Sequence, residues 1–245
     1  MLRSSRLIVF SAFLVCVAPP SSGAGDPKAR LQQRSPWLYG LYEAYPQFHG
    51  QMALYAAQQG FLEPENVLVT TLHELIHIDS AAHQGYSVAG TYLAPYVSHA
   101  SWPFLNNADV AAYLSPSEKS ALEPIYSSYI RQIPQNRLGN VLDEVNAYSQ
   151  TVPFLCQETP GQAVAHLHNL VGHLTLVEFY LRTLRERFPA QHEKLTKNRV
   201  SRGALETLVA NAYKTLNLCF QLGLREADPR KVPKSATEAF SEQPK

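Results

Sequence analysis

Helix-start signals that contain proline recur along this chain, and each is followed by a segment of helical length. Ser115-Pro116-Ser117-Glu118 places proline at the first helical position and glutamate at the third, which is the capping-box arrangement. Thr159-Pro160-Gly161-Gln162 repeats this arrangement. We expect the first helix to end before Pro134 and the second before Pro189, because proline cannot continue a helix. The chain is therefore predicted to be mainly helical.

Weaker signals complete the expected architecture. Residues 138–150 have the apolar periodicity of a shorter helix, and Ser201 can cap another helix that ends near Gly223. Residues 66–70 form the best short strand, whereas the aromatic-rich residues 37–45 are ambiguous between helix and strand. Together these signals predict an α+β fold that is mainly α.

The two ends of the chain differ in composition from the middle. A positively charged start precedes an apolar run from Leu7 to Ala18, and small residues follow, as in a secretory signal peptide. We therefore divide the chain into a signal peptide at residues 1–24, one domain at residues 25–227 with a loosely ordered polar start, and a flexible C-terminal tail at residues 228–245. The protein is expected to be exported, to the periplasm or the outside of a bacterial cell.

The most informative segment is His73-Glu74-Leu75-Ile76-His77. On a helix, residues four apart lie only about 40° apart around the axis, so both imidazoles can reach one metal ion. Glu74 follows the first histidine and can face a water bound to that metal. Zinc lowers the pKa of such a water to near neutrality, and Glu74 would take its proton and pass it to a leaving amine. The apolar neighbours Leu72 and Ile78 are typical of a buried active-site helix.

This segment resembles the active-site helix of the zincin metallopeptidases, which share the HExxH pattern. The resemblance covers about nine residues, from Thr70 to Ile78. It implies a zincin-like single domain, one Zn²⁺ per chain held by His73 and His77, and Glu74 as the general base. It also implies hydrolysis of a peptide bond, so that the expected partner is a peptide or protein substrate.

A catalytic zinc usually takes a third protein ligand, and Glu144 is the first candidate. If residues 138–150 form a helix, Glu144 borders its apolar face, whereas Asp143 points nearly opposite. Burying a carboxylate is costly unless a cation meets it, and a metal ion supplies that cation. Glu144 and Ala147 also resemble the second motif of the gluzincins. Tyr148 stands where several gluzincins carry an aspartate that orients a ligand histidine.

Two other residues remain open as the third ligand. His83 has the spacing of the third metzincin ligand, but Ser80 replaces the glycine at which that helix breaks. On an unbroken helix His83 lies about 120° around the axis and about 9 Å along it from His77, beyond reach of the same ion. Glu178 lies on the apolar face of the predicted long helix, where an internal ion pair is the other explanation for it.

Other histidines and tyrosines are candidates for separate roles. His166, His168 and His173 look like a second metal cluster, yet two helical turns separate the first from the last, which favours a polar helix flank or cleft wall. A tyrosine or histidine after the active-site helix can stabilise the oxyanion of the reaction, and Tyr92 and His99 are the first candidates. The full set of these candidates is Tyr86, Tyr92, Tyr96 and His99.

Charge and cysteine content restrict the partners and the compartment. The chain has 21 basic and 20 acidic residues and no basic cluster, which disfavours nucleic-acid binding. No segment after the apolar start has the length and hydropathy of a membrane span. In an oxidising compartment Cys156 and Cys219 form either one disulfide or two buried thiols, and their spacing leaves both open.

Three other functions are compatible with the sequence. A zinc-binding protein of the cell envelope without catalysis would keep the ligands but lack a substrate groove. An endopeptidase of peptidoglycan cross-links would share the same chemistry on a different substrate. A helical domain without a metal would use the histidines of the HExxH segment only in local hydrogen bonds.

Overall fold

The computed structural model describes residues 25–232, and this part of the chain consists of helices and one small β-hairpin. The helices are α1 (Pro27–Arg34), α2 (Pro36–Ala44), α3 (His49–Gln58), α4 (Pro64–His83), α5 (Asn107–Tyr113), α6 (Pro116–Ala121), α7 (Leu138–Glu158), α8 (Pro160–Arg187), α9 (Pro189–Lys197) and α10 (Arg199–Gln221). The antiparallel strands are β1 (Tyr86–Val88) and β2 (Thr91–Leu93). The predicted α+β fold, mainly α, is confirmed.

Both proline-containing start signals begin helices. At the start of α6, Ser115 and Glu118 form the complete capping box: each side chain accepts a hydrogen bond from the backbone N–H of the other residue. The long helix α8 begins at Pro160, as expected. α6 ends at Ala121, earlier than predicted. Pro124 explains this, because proline has no backbone N–H to donate and its ring clashes with the preceding helical turn. Within residues 25–232, no helix combines the length and apolar character that crossing a bilayer requires.

The predicted strand at residues 66–70 is wrong, because α4 runs through this segment from Pro64. Pro64 occupies the first helical position, where a missing N–H costs nothing. A short run of buried β-branched residues does not distinguish a strand from a buried helix. Residues 37–45 lie almost entirely in α2, and residues 27–34, expected to be loosely ordered, form α1.

Ion pairs that the sequence did not reveal hold α1 in place. Arg30 pairs with Glu65 at the start of α4 and with Glu158 at the end of α7, the latter at 3.1 Å. Arg34 adds a second contact to Glu158 at 3.0 Å. The polar composition of α1 therefore serves to connect it to two longer helices rather than to keep it in solvent.

The packed part of the chain extends beyond the predicted domain boundary at residue 227. Val232 is still buried, although it belongs to the segment assigned to the flexible tail. Asn198, not Ser201, caps α10, and Ser201 lies buried in the first turn. The predicted signal peptide and the rest of the predicted tail lie outside the described residues.

α7 is the central helix of the fold, because it packs against α4, α8 and α10. Val141, Leu142 and Val145 on this helix are fully buried. Since neighbouring helices cover several sides of α7, its polar residues are buried as well, including the carboxylates of Asp143 and Glu144. This packing brings both carboxylates against α4, the helix of the HExxH segment.

Asp79 anchors the β-hairpin and the residue after α2, Tyr45, to the end of α4. Its buried carboxylate accepts hydrogen bonds from the hydroxyls of Ser87 at 2.6 Å and Tyr45 at 2.8 Å. The Tyr92 hydroxyl approaches the same carboxylate at 3.4 Å. These donors satisfy a charged group that is buried in the fold. The chain that follows α4 is thereby held close to it.

A disulfide joins α7 and α10 in the C-terminal half. Cys156, near the end of α7, and Cys219, near the end of α10, are bonded, with their Cα atoms 5.5 Å apart. Both residues are buried. Of the two alternatives that the sequence left open, the structure therefore contains the disulfide.

We expect replacement of both cysteines by alanine to lower the free energy of unfolding by about 2–4 kcal/mol. The cross-link spans 63 residues and restricts the unfolded chain, so that its removal stabilises the unfolded state. Urea denaturation of the double variant and the wild type without reductant measures the difference, and the wild type under strong reductant is the control. Equal midpoints for the variant and the oxidised wild type would contradict a stabilising role.

Candidate metal centre

α4 presents two histidines to one point, because His73 and His77 are one turn apart. Their Nε2 atoms are 3.1 Å apart and their ring centroids 4.8 Å apart, with the rings nearly perpendicular. His73 is buried, and the side chain of His77 is 21% exposed. The helix thus places two imidazole nitrogens at the border between the protein interior and solvent.

α7 adds a carboxylate oxygen to this pair of nitrogens. Oε2 of Glu144 lies 3.3 Å from Nε2 of His73 and 3.8 Å from Nε2 of His77. Zinc bonds of about 2.0–2.2 Å place ligand atoms at the corners of a tetrahedron about 3.3–3.6 Å apart. The three separations, 3.1, 3.3 and 3.8 Å, bracket this range. The three side chains therefore fit a tetrahedral metal ion with a fourth, open position.

Asp143 supports the same site from the next position of α7. Its Oδ2 lies 2.8 Å from Nδ1 of His77. The expectation that Asp143 points away from the apolar face is wrong, because α7 is covered on several sides and both carboxylates face α4. When Nδ1 of His77 donates its proton to Asp143, the lone pair of Nε2 is free for a metal ion.

The electrostatics of the cluster favour a positive charge between these residues. Burial by itself lowers the pKa of His77, but the carboxylates of Asp143 and Glu144 outweigh it and raise that pKa to about 10. Burial by itself raises the pKa of Glu144, but the hydrogen bond to His73 and the charge of His77 lower it to about 2. A proton on His77 supplies this positive charge, and a divalent cation would replace it.

Glu74 interacts electrostatically with His77 of the cluster but forms no hydrogen bond or ion pair with it. The residue is partly buried, and its carboxylate makes no hydrogen bond or ion pair to any residue between 25 and 232. Its charge nevertheless acts on His77, Tyr148 and Tyr55, raising the pKa of each. Glu74 therefore lies within electrostatic range of His77, one of the three possible ligands, and no described residue forms a hydrogen bond or ion pair with its carboxylate.

Tyr55 of α3 is a site residue that sequence reasoning missed. Burial raises the pKa of its phenol, and the charges of Glu74 and Glu144 raise it further. The phenol thus lies within electrostatic range of both carboxylates, since α3 packs on α4. No sequence signal marks Tyr55, because only the packing of α3 brings it to the site.

Tyr148 packs against the site rather than orienting a ligand through its hydroxyl. Its ring lies 4.3 Å from the ring of His73, whereas its hydroxyl accepts a hydrogen bond from Asn169 at 3.0 Å. The carboxylate that contacts a histidine of the cluster is instead Asp143, at 2.8 Å from Nδ1 of His77. Where the gluzincin pattern has an aspartate, this chain has Tyr148, and the carboxylate near the histidines comes from Asp143, at a different position of α7.

The alternative third ligands lie elsewhere. Among the described residues, the group able to hold a metal ion consists of His73, His77 and Glu144, and it includes neither His83 nor Glu178. His83 contacts the backbone carbonyl of Asp79 at 3.0 Å. Glu178 is buried within α8.

The four residues proposed to stabilise an oxyanion are engaged with other groups of the protein. Tyr92 stacks on His83 and approaches the carboxylate of Asp79, while His99 pairs with Ser101 at 2.7 Å. The remaining two hydroxyls donate to groups on α7: Tyr86 to the Gly139 carbonyl and Tyr96 to Asp143.

The histidines of α8 differ in burial. His166 and His173 are buried near Tyr148, with ring centroids 6.2 and 5.7 Å from its ring, and His168 is exposed. Burial lowers the pKa of His166 to about 3 and also lowers that of His173, so both are neutral. They lie beside Tyr148, which packs on His73 of the candidate metal centre, and among the described residues they do not form a metal-ligand group of their own.

No family model matches this chain, and neither a curated protein nor a solved structure is detectably similar to it.

We expect the wild-type protein to bind about one zinc ion per chain and Glu144→Ala to bind it at least about tenfold more weakly, because a ligand should matter at least as much as a group behind it. Elemental analysis and chelator competition measure both. Glu178→Gln is the matched control, since it alters a buried glutamate of the adjacent helix. Zinc retained by Glu144→Ala but lost by Glu178→Gln would reverse the assignment of the third ligand.

Proposed function

We propose that this protein is a zinc-dependent metallopeptidase of the zincin type. The observation that carries the proposal is the convergence of His73, His77 and Glu144 at tetrahedral separations, with Glu74 free beside them. A His₂Glu ligand set with an open fourth position is the arrangement of catalytic zinc sites. The neighbouring glutamate distinguishes this arrangement from a closed structural site.

The roles of the protein groups follow from their positions. Bound zinc would lower the pKa of a water ligand to near neutrality and polarise the peptide carbonyl. Glu74, which no described residue engages, accepts the proton of that water and later donates it to the leaving amine. Asp143 keeps His77 in the tautomer whose Nε2 can bind metal.

We assign the oxyanion-stabilising role to Tyr55. Its phenol stays protonated at neutral pH, because burial and the charges of Glu74 and Glu144 raise its pKa. The phenol hydroxyl makes no hydrogen bond to any other described residue, so that it is available to a substrate. A protonated phenol within electrostatic range of the site can stabilise the negative charge that develops on the substrate oxygen.

Compartment and substrate are part of the same proposal. The buried disulfide between Cys156 and Cys219 and the apolar run at the start of the sequence support an exported enzyme. Peptides and proteins are the proposed substrates, and the cross-linking peptides of peptidoglycan belong in the same screen. Stoichiometric zinc without hydrolysis of any of them would favour the non-catalytic zinc-binding alternative.

Glu74→Gln should retain zinc and lower kcat by at least about 100-fold, because the amide cannot accept the proton of the attacking water. A quenched fluorescent peptide library identifies a substrate, and turnover is then measured for wild type, Glu74→Gln and Glu43→Gln. Glu43→Gln is the matched control, since Glu43 is exposed on α2. Hydrolysis by zinc-loaded Glu74→Gln at the wild-type rate would disprove the general-base assignment.

Tyr55→Phe should lower kcat by about 100-fold with little change in KM or zinc affinity, because a donor to the oxyanion acts mainly in the transition state. Steady-state kinetics on the same peptide substrate measure the effect. Tyr39→Phe on α2 controls for the loss of a phenol elsewhere. A Tyr55→Phe variant with unchanged kcat would remove Tyr55 from the mechanism and leave the other assignments intact.

A further inference from the structure

The carboxylate of Asp143 is held by two contacts that share one oxygen atom. Oδ2 lies 2.8 Å from Nδ1 of His77 and accepts a hydrogen bond from the Tyr96 hydroxyl at 3.0 Å. The other oxygen, Oδ1, is buried and has no partner among the described residues. The orientation of this carboxylate therefore depends on two hydrogen bonds, one with the proposed ligand His77 and one from Tyr96. The Tyr96 hydroxyl also lies 3.5 Å from the backbone carbonyl oxygen of His77.

Tyr96 itself belongs to a loop, residues 94–102, that is fixed to the start of α7. The indole Nε1 of Trp102 donates to the backbone carbonyls of Tyr96 and Pro95, at 3.2 and 3.3 Å. At Gly139 of α7, a Cβ atom would lie 2.7 Å from the carbonyl oxygen of Val97 and 2.9 Å from its Cα, so that only glycine permits this approach. The loop thus contacts α7 one turn before Asp143.

An aromatic contact with Tyr86 also limits the movement of the Tyr96 ring. Tyr86 packs edge-on against it, with the ring centroids 5.5 Å apart, and donates its own hydroxyl to the carbonyl of Gly139 at 3.0 Å. Tyr86 is fully buried. The ring of Tyr96 is therefore held by the same turn of α7 that receives the loop.

We propose that Tyr96 is a positioning residue for the metal ligand His77, acting through Asp143. The hydroxyl of Tyr96 prevents the carboxylate from rotating, and the carboxylate in turn holds Nδ1–H of His77, so that Nε2 faces the metal position. Groups behind a histidine ligand commonly change metal affinity without touching the metal. This inference rests on the proposed metal site and assigns a residue that the proposed reaction does not itself require.

A double-mutant cycle tests whether Tyr96 acts through Asp143. Zinc affinity is measured by chelator competition for wild type, Tyr96→Phe, Asp143→Ala and the double variant. We expect a loss of about 3- to 10-fold for Tyr96→Phe, the value of one hydrogen bond, and of about 10- to 100-fold for Asp143→Ala. The double variant should be no weaker than Asp143→Ala alone, because the hydroxyl then has no carboxylate to hold.

Tyr92→Phe is the matched control. Tyr92 lies in the same stretch of chain and also approaches a buried carboxylate, that of Asp79, which does not contact a proposed ligand. Its loss should leave zinc affinity unchanged. The visible absorption of the cobalt-substituted protein, which reports the geometry around the ion, should change in Tyr96→Phe and not in Tyr92→Phe. A purely structural role of Tyr96 would alter the melting temperature without altering this spectrum.

Gly139→Ala tests the contact between the loop and α7 without changing Tyr96 or Asp143. The new methyl group must displace the backbone at Val97, so that zinc affinity should fall in the wild type but not fall further in Tyr96→Phe. An additional loss in that background would overturn the part that we assign to the loop.

The outcomes separate this inference from the proposed function. Wild-type affinity in Tyr96→Phe, or an equal loss from Tyr96→Phe with and without Asp143, would overturn the role of Tyr96 alone. Failure of the wild type to bind zinc at all would overturn the proposed function and this inference together.

Discussion

Two adjacent carboxylates, Asp143 and Glu144, are buried on the central helix, and burial of a carboxylate is unfavourable unless a cation or donor compensates it. α7 cannot pack against α4, α8 and α10 without taking both groups out of solvent. The compensation comes from α4, where His77 meets Asp143 and where the Nε2 atom of His73 meets Glu144. The packing of α4 against α7 and the formation of the cluster therefore depend on each other.

The two histidines of the cluster have different surroundings. Nδ1 of His77 contacts Asp143, and Asp143 accepts a hydrogen bond from Tyr96. Hydrogen bonds therefore connect the proposed metal position to the loop of residues 94–102, which packs on α7. Nδ1 of His73 is buried without a partner among the described residues, and packing against the ring of Tyr148 orients this side chain. One proposed ligand is thus oriented by directional hydrogen bonds and the other by the shape of the core.

Sequence reasoning identified the residues whose role depends on a short, local pattern. The spacing of His73 and His77 requires only a helix, and the helical face of Glu144 follows from the apolar residues around it. It misplaced Asp143, because a helical wheel assumes one buried face whereas α7 is covered on several sides. It also assigned residues 66–70 to a strand, because buried β-branched residues do not reveal the element that contains them.

The sequence by itself determined the mainly helical character, several helix ends and the two histidines on one face of α4, because capping, proline and helical periodicity act within a few residues of each other. Only the tertiary structure decided that Glu144 meets those histidines, that Asp143 lies behind His77 and that Tyr55 and Tyr96 come from other segments. The partners in these contacts lie on different segments of the chain. These partners come into contact only because of the way in which the helices pack, and the residue pattern within one segment does not predict that packing.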